Sequence, residues 1–274
     1  MEKLLKYYLS FYILLVGISC KEEGLSIEKR RVKAEKIYKE ASNFKQGSVS
    51  SMLGIEKSVA IDPTFDKGVR ELSVAYLKRG IPFKWKDQLD KAVAINPEEW
   101  IGYRGYNYLW FYRDYKKAIA DFDTTDTLTP NFIDFPQGHS VDYWRGIAYL
   151  GLKDYENSIS YFQKHMNKKI KDSGEDWIEL KAFLYTGIAY YESGNTEKAI
   201  FYFDKVLHYN NGNYADAKYY KALILKEKGE VLNAQNLIID AIADFENGYI
   251  NKRPYVESLR QLYLEDYNQL KKAL

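Results

Sequence analysis

The chain is predicted to be an all-α solenoid, a stack of antiparallel helix pairs closed by a C-terminal capping helix. Three observations predict it. The endings Ala60-Ile61-Asp62-Pro63 and Ala94-Ile95-Asn96-Pro97 stand 34 residues apart, a spacing too long for a heptad and suited to one helix pair. Small residues and aromatics recur at matching places in successive segments. Only six prolines interrupt 274 residues, which leaves long stretches open to helix.

The N-terminal segment reads as a leader. Lys3 and Lys6 precede Tyr7–Ile18, twelve residues that are apolar except for Ser10 and Gly17. A helix of that length reaches roughly 18 Å against about 30 Å of hydrocarbon, so it suits a signal-peptide core and not a permanent span. Gly17-Ile18-Ser19-Cys20 follows and resembles the bacterial lipobox, with Gly17 where leucine is usual and Ser19 supplying the small residue before the cut. The resemblance implies a signal peptide over 1–19, a multiply acylated Cys20 as the new N-terminus, and a tether over 20–28. Acyl carbons contribute about 0.8 kcal/mol per buried CH₂, and two or more chains anchor stably. Lys21-Glu22-Glu23 reads either as a plain solvated tether or as the acidic stretch that accompanies surface export in Bacteroidetes lipoproteins.

The body of the chain is repetitive. Arg145-Gly146-Ile147-Ala148-Tyr149-Leu150 leads to Lys153-Asp154-Tyr155 and Ser158…Phe162; Thr186-Gly187-Ile188-Ala189-Tyr190-Tyr191 leads to Gly194-Asn195-Thr196 and Ala199…Phe203 with the same spacing. A small residue in the first helix lets the second approach closely, and a Gly or Asp/Asn turn joins them. A small residue with an aromatic four places on seals the second helix. Gly105, Tyr108, Ala118 and Phe122 form a further copy with one extra residue before its turn. Ser73, Tyr76, Leu89 and Ala92 form another, in which Trp85 replaces a small residue, and Ala222, Gly229, Ala234 and Ile238 form one that lacks the tyrosine. Residues from about 31 to 63 are the least regular copy.

This pattern resembles the tetratricopeptide repeat, and six helix pairs are expected over 29–251, the first and last degenerate. The resemblance implies a right-handed superhelical solenoid. Residues 129–140, with Pro130 and Pro136 around Phe132 and Phe135, and the charged 168–175, which reads as flexible, are expected as insertions between repeats. Val256, Leu259, Leu262, Tyr263, Tyr267 and Leu270 lie on one face of a capping helix expected over 252–274, which the last repeat needs to cover its apolar side.

Composition argues against several functions. With 40 Lys and Arg against 38 Asp and Glu, scattered along the chain, no field is built for nucleic acid. A single cysteine makes neither an intramolecular disulfide nor a cysteine-rich zinc site. His139, His165 and His208 lie in different units at no metal-ligand spacing and read as surface or inter-helix residues, so no metal or cofactor is expected. No nucleophile elbow, phosphate loop or dinucleotide fingerprint occurs, and Asp121 with Asp123, or Glu175 with Asp176, read as solvated charge. No enzyme is expected.

The family resemblance implies instead a concave groove lined by the first helix of each pair, which binds protein or peptide. Carried over residue by residue, the lining is Arg70, Val74, Lys78, Tyr106, Trp110, Tyr143, Ile147, Tyr185, Tyr191, Tyr219 and Lys226. Its aromatic centre, Tyr106, Trp110, Tyr143, Tyr185, Tyr191 and Tyr219, is the candidate partner site. Val74 and Ile147 stand where a carboxylate clamp of the chaperone-docking members would need polar groups, so that activity is not implied. The layout is similar to lipid-anchored tetratricopeptide proteins of Gram-negative envelopes, which implies an adaptor at the bacterial outer membrane, on its periplasmic face or at the cell surface. The alternative is a surface lipoprotein binding glycan or peptide for nutrient uptake, like the SusD-type binders, although this chain lacks their large insertions.

Overall fold

The structure, a computed structural model, describes residues 26–274, so the leader, Cys20 and the start of the tether lie outside the described residues. The described chain is all-α, and among the described residues no helix is long and apolar enough to cross a membrane. It divides into two compact units, 1–75 and 76–274.

In the first unit α1 (Ile27–Ala41) packs on α2 (Val49–Ile61), and α3 (Asp66–Lys78) begins. Serines start both helices of the pair: Ser26 Oγ accepts the Lys29 amide and Ser48 Oγ the Ser51 amide, each at 3.3 Å. Closeness is set by Gly54, where a Cβ would lie 2.6 Å from that of Ala41, and by the buried Ser58 hydroxyl, which donates to Ala34 O at 2.7 Å. Pro63 ends α2 as expected, holding Asp62 in an extended conformation (φ −132°, ψ 94°).

The second unit runs α4 (Pro82–Ile95), α5 (Pro97–Asn107), α6 (Tyr115–Leu128), α7 (Val141–Gly151), α8 (Tyr155–Ser173), α9 (Leu180–Glu192), α10 (Thr196–Tyr209), α11 (Ala215–Glu227), α12 (Val231–Glu246) and α13 (Leu264–Lys272). Helices α5/α6, α7/α8, α9/α10 and α11/α12 are packed pairs. Their turns work as the sequence suggests. Asp114, Asp154 and Asn195 each accept the amide three residues on, at 3.2, 3.2 and 3.1 Å, so the turn residue is also the cap of the second helix. The small-residue and aromatic signature is one contact repeated. A Cβ on Gly105, Gly146 or Gly187 would lie 2.8, 2.7 or 2.6 Å from the ring of Phe122, Phe162 or Phe203.

Two irregularities of the repeats take physical form, and two expectations are corrected. The extra residue in the third copy becomes a π-helical turn, Tyr108–Tyr112, ended by Arg113 in the left-handed region (φ 53°); one inserted residue widens the helix by that amount. Trp85 then packs against the turn's rings, edge-on to Tyr108 at 5.3 Å and tilted over Tyr112 at 4.4 Å. The stretch 168–173 is helical, because α8 runs on to Ser173 with the i,i+4 pair Lys168–Asp172 on its side, and only Gly174 (φ 102°) stops it. The capping helix covers only Leu264–Lys272. Arg253-Pro254 restrains the chain from helix, and residues 247–263 take a different course, described below. Helix α13 still closes the last pair: Tyr267 and Leu270 pack with Ala215, Ala222, Ala234, Ile238 and Ala241.

The first insertion also folds onto the body. Trp144 Nε1 donates to Pro136 O at 2.8 Å and the Val141 amide to Asp134 O at 2.9 Å, seating a short 3₁₀ turn (Pro136–Gly138) beside Gly102 of α5.

Candidate functional site

The first helices of the pairs, α5 with its π turn, α7, α9 and α11, carry the aromatic residues singled out in the sequence. That face is occupied. After α12, residues 251–262 cross it in non-helical conformation before the chain re-enters α13. Asn251 is the first anchor: its amide donates to Asp216 Oδ2 of α11 at 2.9 Å and its Nδ2 to the Tyr185 hydroxyl of α9 at 3.1 Å. Lys181 of α9 donates to Lys252 O at 2.7 Å. The Arg253 guanidinium then enters a cage of Tyr106, Trp110 and Trp144, its carbon 3.6 Å from the Trp110 ring centre and 5.6 and 5.9 Å from the other two, while Nη2 donates to the Tyr106 hydroxyl at 2.6 Å. A desolvated contact of this kind is worth about 2 kcal/mol.

Further along, Lys78 Nζ sits 4.5 Å from the Tyr255 ring centre, and Arg113, aimed by the left-handed end of the π turn, donates to the carbonyl oxygens of Glu257 and Ser258. The segment then turns back. Arg260 grips Glu192 of α9 with two bonds, Nε to Oε1 at 2.6 Å and Nη2 to Oε2 at 2.8 Å, and also reaches Leu150 O at 3.3 Å.

Tyr106 and Trp110 thus hold Arg253, and Tyr185 holds Asn251. The other three predicted residues lie elsewhere. Tyr143 is 2 % exposed and sits in the core against Trp144 (4.8 Å), Phe162 (6.0 Å) and His165 (5.3 Å). Tyr191 is half-buried and donates to Glu227 at 2.8 Å, and Tyr219 packs edge-on against Tyr267 at 5.1 Å, under the closing helix. The expectation of an open aromatic groove is therefore corrected: Trp110 and Tyr185, at 2 % and 0 % exposed, lie beneath the chain's own segment. Sequence reasoning missed Arg113, Trp144, Lys181, Glu192 and Asp216. None of these carried a sequence signal, because residues 252–274 read as a capping helix that would leave this face uncovered.

Burial shapes the electrostatics of this face. It pushes the Asp216 carboxyl up to about 6 despite the bond from Asn251, the Tyr185 phenol up to about 12, and, together with the Arg253 charge, the Lys181 ammonium down to about 8.

Two histidines meet at one carboxylate. His165 Nε2 lies 2.9 Å and His139 Nδ1 3.1 Å from Glu179, and Ser140 Oγ lies 2.8 Å from His165 Nδ1. Burial raises the Glu179 carboxyl, but the two histidine hydrogen bonds outweigh it and hold the group well below the usual carboxylate range. The Ser-His-Glu order has the connectivity of a nucleophilic triad, yet Ser140 is 3 % exposed and its Oγ caps α7 by accepting the Tyr143 amide at 3.2 Å. It is an inter-helix brace. Asp121, read as solvated, is 6 % exposed and held two-pronged by Arg104 at 2.9 and 2.7 Å; Asp123 pairs with the fully buried Arg145 at 3.0 Å; and Glu175 accepts from Tyr209 at 2.8 Å. These acids are structural. Among the described residues no three His, Cys, Asp or Glu side chains gather as metal ligands would.

Residues 181–213, spanning most of α9 and all of α10, match the model of the tetratricopeptide repeat. Among solved structures, the fold is similar to PilW, described as a widely conserved type IV pilus biogenesis factor (TM-score 0.62, 16% identity, covering 78% of this chain and 94% of that one). It is also similar to PilF of Pseudomonas aeruginosa (0.59, 15% identity, 90% and 99%) and to MamA of Desulfovibrio magneticus RS-1 (0.54, 16% identity, 68% and 98%). No protein of curated function matches the sequence. The repeated Gly–Phe contacts, the capped turns and these shared folds give the described residues the helical-repeat fold of tetratricopeptide proteins, with one such repeat matched over residues 181–213.

Proposed function

We propose that this chain is a non-enzymatic adaptor of the bacterial cell envelope, tethered to the outer membrane through an acylated Cys20, that captures protein segments on the face formed by α5, α7, α9 and α11. One observation carries the reading: this face already grips a non-helical stretch of polypeptide, by its carbonyl oxygens through Lys181 and Arg113 and by its arginines through an aromatic cage and Glu192. Backbone-directed donors together with a few side-chain pockets are what recognition of an extended peptide requires. Envelope placement is supported by the leader and lipobox of residues 1–20 and by the likeness to a pilus biogenesis factor.

The test is a mild-detergent pull-down of the native lipoprotein with crosslinking, read by mass spectrometry, beside protease shaving of intact cells. Envelope-assembly or cell-wall proteins recovered with a shaving-resistant bait are the expected result. A shaved bait recovered with an outer-membrane transporter would replace the adaptor by the nutrient-uptake reading.

A further inference from the structure

We propose that residues 252–262 are an intramolecular stand-in for the partner, a strap that leaves the face when a peptide following the same non-helical course presents two arginines seven residues apart, one to the Tyr106–Trp110–Trp144 cage and one to Glu192. This deepens the adaptor reading and rests on it.

Length is the first argument. Helix α12 ends at Glu246 and α13 starts at Leu264, so seventeen residues join two helices that pack on each other. Helix connections of this kind normally take about 2–8 residues, and long loops without secondary structure are characteristically functional. The excess chain is the part laid over the face.

The second argument is the way the strap is held. Side chains of the helices reach its carbonyl oxygens, and its own side chains enter pockets with opposite character: an electron-rich cage for Arg253 and a carboxylate for Arg260. Those positions, 253 and 260, set the spacing that a competing peptide must match.

Third, the fit is imperfect. Tyr255 (φ 71°) and Arg260 (φ 54°) lie in the left-handed region, which non-glycine residues rarely occupy. Arg253 Nε on the strap, and Trp110 Nε1 and Arg113 Nη1 beneath it, are buried without a hydrogen-bond partner. A ligand that accepts from Trp110 Nε1 and Arg113 Nη1 in relaxed geometry has an advantage over the strap.

Fourth, the strap can lift without uncapping the fold. Asn251 is tied to Asp216 and Tyr185 at one end, and α13 is packed on α11 and α12 at the other, independently of the residues between. A covered site lowers apparent affinity by the fraction of time it is open, so the strap sets a threshold that only a well-matched partner crosses.

The experiment uses the full-length lipoprotein in detergent and, as probe, a labelled synthetic peptide of residues 250–263 followed by fluorescence anisotropy. The R253A/R260A protein, whose strap is weakened while the face is intact, is expected to bind the peptide at least ~10-fold more tightly than wild type. A peptide carrying the same two substitutions is expected not to bind. A folded R253A/R260A protein that ignores the peptide overturns the proposal. Because that variant could lose stability, hydrogen exchange on the wild type gives a second reading. Amides of 252, 253 and 255–262 are expected to exchange at least ~100-fold faster than those in the middle of α7 and α9; equal protection would make the strap a fixed part of the fold and overturn the proposal. Concentration-dependent dimerisation of wild type without added peptide would overturn the assignment in favour of a second copy's strap. An envelope partner captured equally by wild type and R253A/R260A, with no peptide binding, would sink the strap and leave the adaptor standing.

Discussion

At the scale of single residues, the repeat rests on contacts too close for a side chain. The ring of Phe203 occupies the place of a Cβ on Gly187, 2.6 Å away, and both residues are in the interior. Gly187→Ala is expected to cost about 1–3 kcal/mol through overpacking, although alanine is the better helix former, and the loss reads directly in urea denaturation midpoints. A gain in stability would mean that the helix pair separates without strain. Two carboxylates give opposite pH dependence. Burial lifts the Asp216 carboxyl from 3.8 to about 6, so the folded state favours its protonated form; that contribution is present below pH 3.8 and is lost as pH rises through about 6. Asp216→Asn keeps an acceptor for the Asn251 amide and is expected to stabilise the protein at pH 7.5 relative to wild type and to have little effect near pH 4. Glu179, held below its ordinary 4.5 by hydrogen bonds from His139 and His165 despite its burial, contributes stability above that value which is lost as pH falls further. Glu179→Gln is expected to destabilise at pH 7 and to flatten the acid limb, and denaturation curves between pH 3 and 8 separate the two effects.

At the scale of elements, legibility followed the kind of interaction. Helix pairs were readable because their determinants, Gly146 with Phe162 or Asp154 as a cap, repeat at fixed spacing within one short segment. The π turn was visible as one surplus residue, but that Arg113 would leave it in a left-handed conformation and reach Glu257 and Ser258, well over a hundred positions away, was not. The closing segment misled most. Val256, Leu259 and Leu262 share a helical periodicity with Tyr267 and Leu270, yet Leu259 is buried as part of a strap while only the last two sit on the closing helix. Periodicity reports which residues are apolar and cannot report which partner covers them. The closing helix has its own test. Tyr267 is 0 % exposed amid the α11–α12 cluster, so Tyr267→Ala is expected to cost about 3–5 kcal/mol, as other large buried aromatics do. Its hydroxyl is buried without a partner, so Tyr267→Phe is expected to be neutral or mildly stabilising. Equal losses in the two variants, measured by calorimetry, would mean that the hydroxyl and not the ring carries the packing.

At the scale of the whole molecule, the proposed adaptor role requires that the chain be held at a membrane. Among the described residues no helix is long and apolar enough to span a bilayer, and the proposed anchor is the Cys20 ahead of α1. There the short apolar run ends at Gly17-Ile18-Ser19-Cys20. A run of that length cannot cross about 30 Å of hydrocarbon, whereas two or three acyl chains, at about 0.8 kcal/mol per buried CH₂, would anchor stably. Cys20→Ala removes the proposed acyl acceptor and lies ahead of the first described helix, which starts at Ile27. The variant is expected to move from the membrane pellet to the soluble fraction, and the wild type to yield a mature chain beginning at Cys20 with an added mass of acyl groups. Retention of Cys20→Ala through a high-salt, high-pH wash would sink the lipid anchor. If it came off in that wash, the remaining attachment would be a protein partner, and repeating the wash with R253A/R260A in the same background would show whether that partner binds on the face beneath the strap.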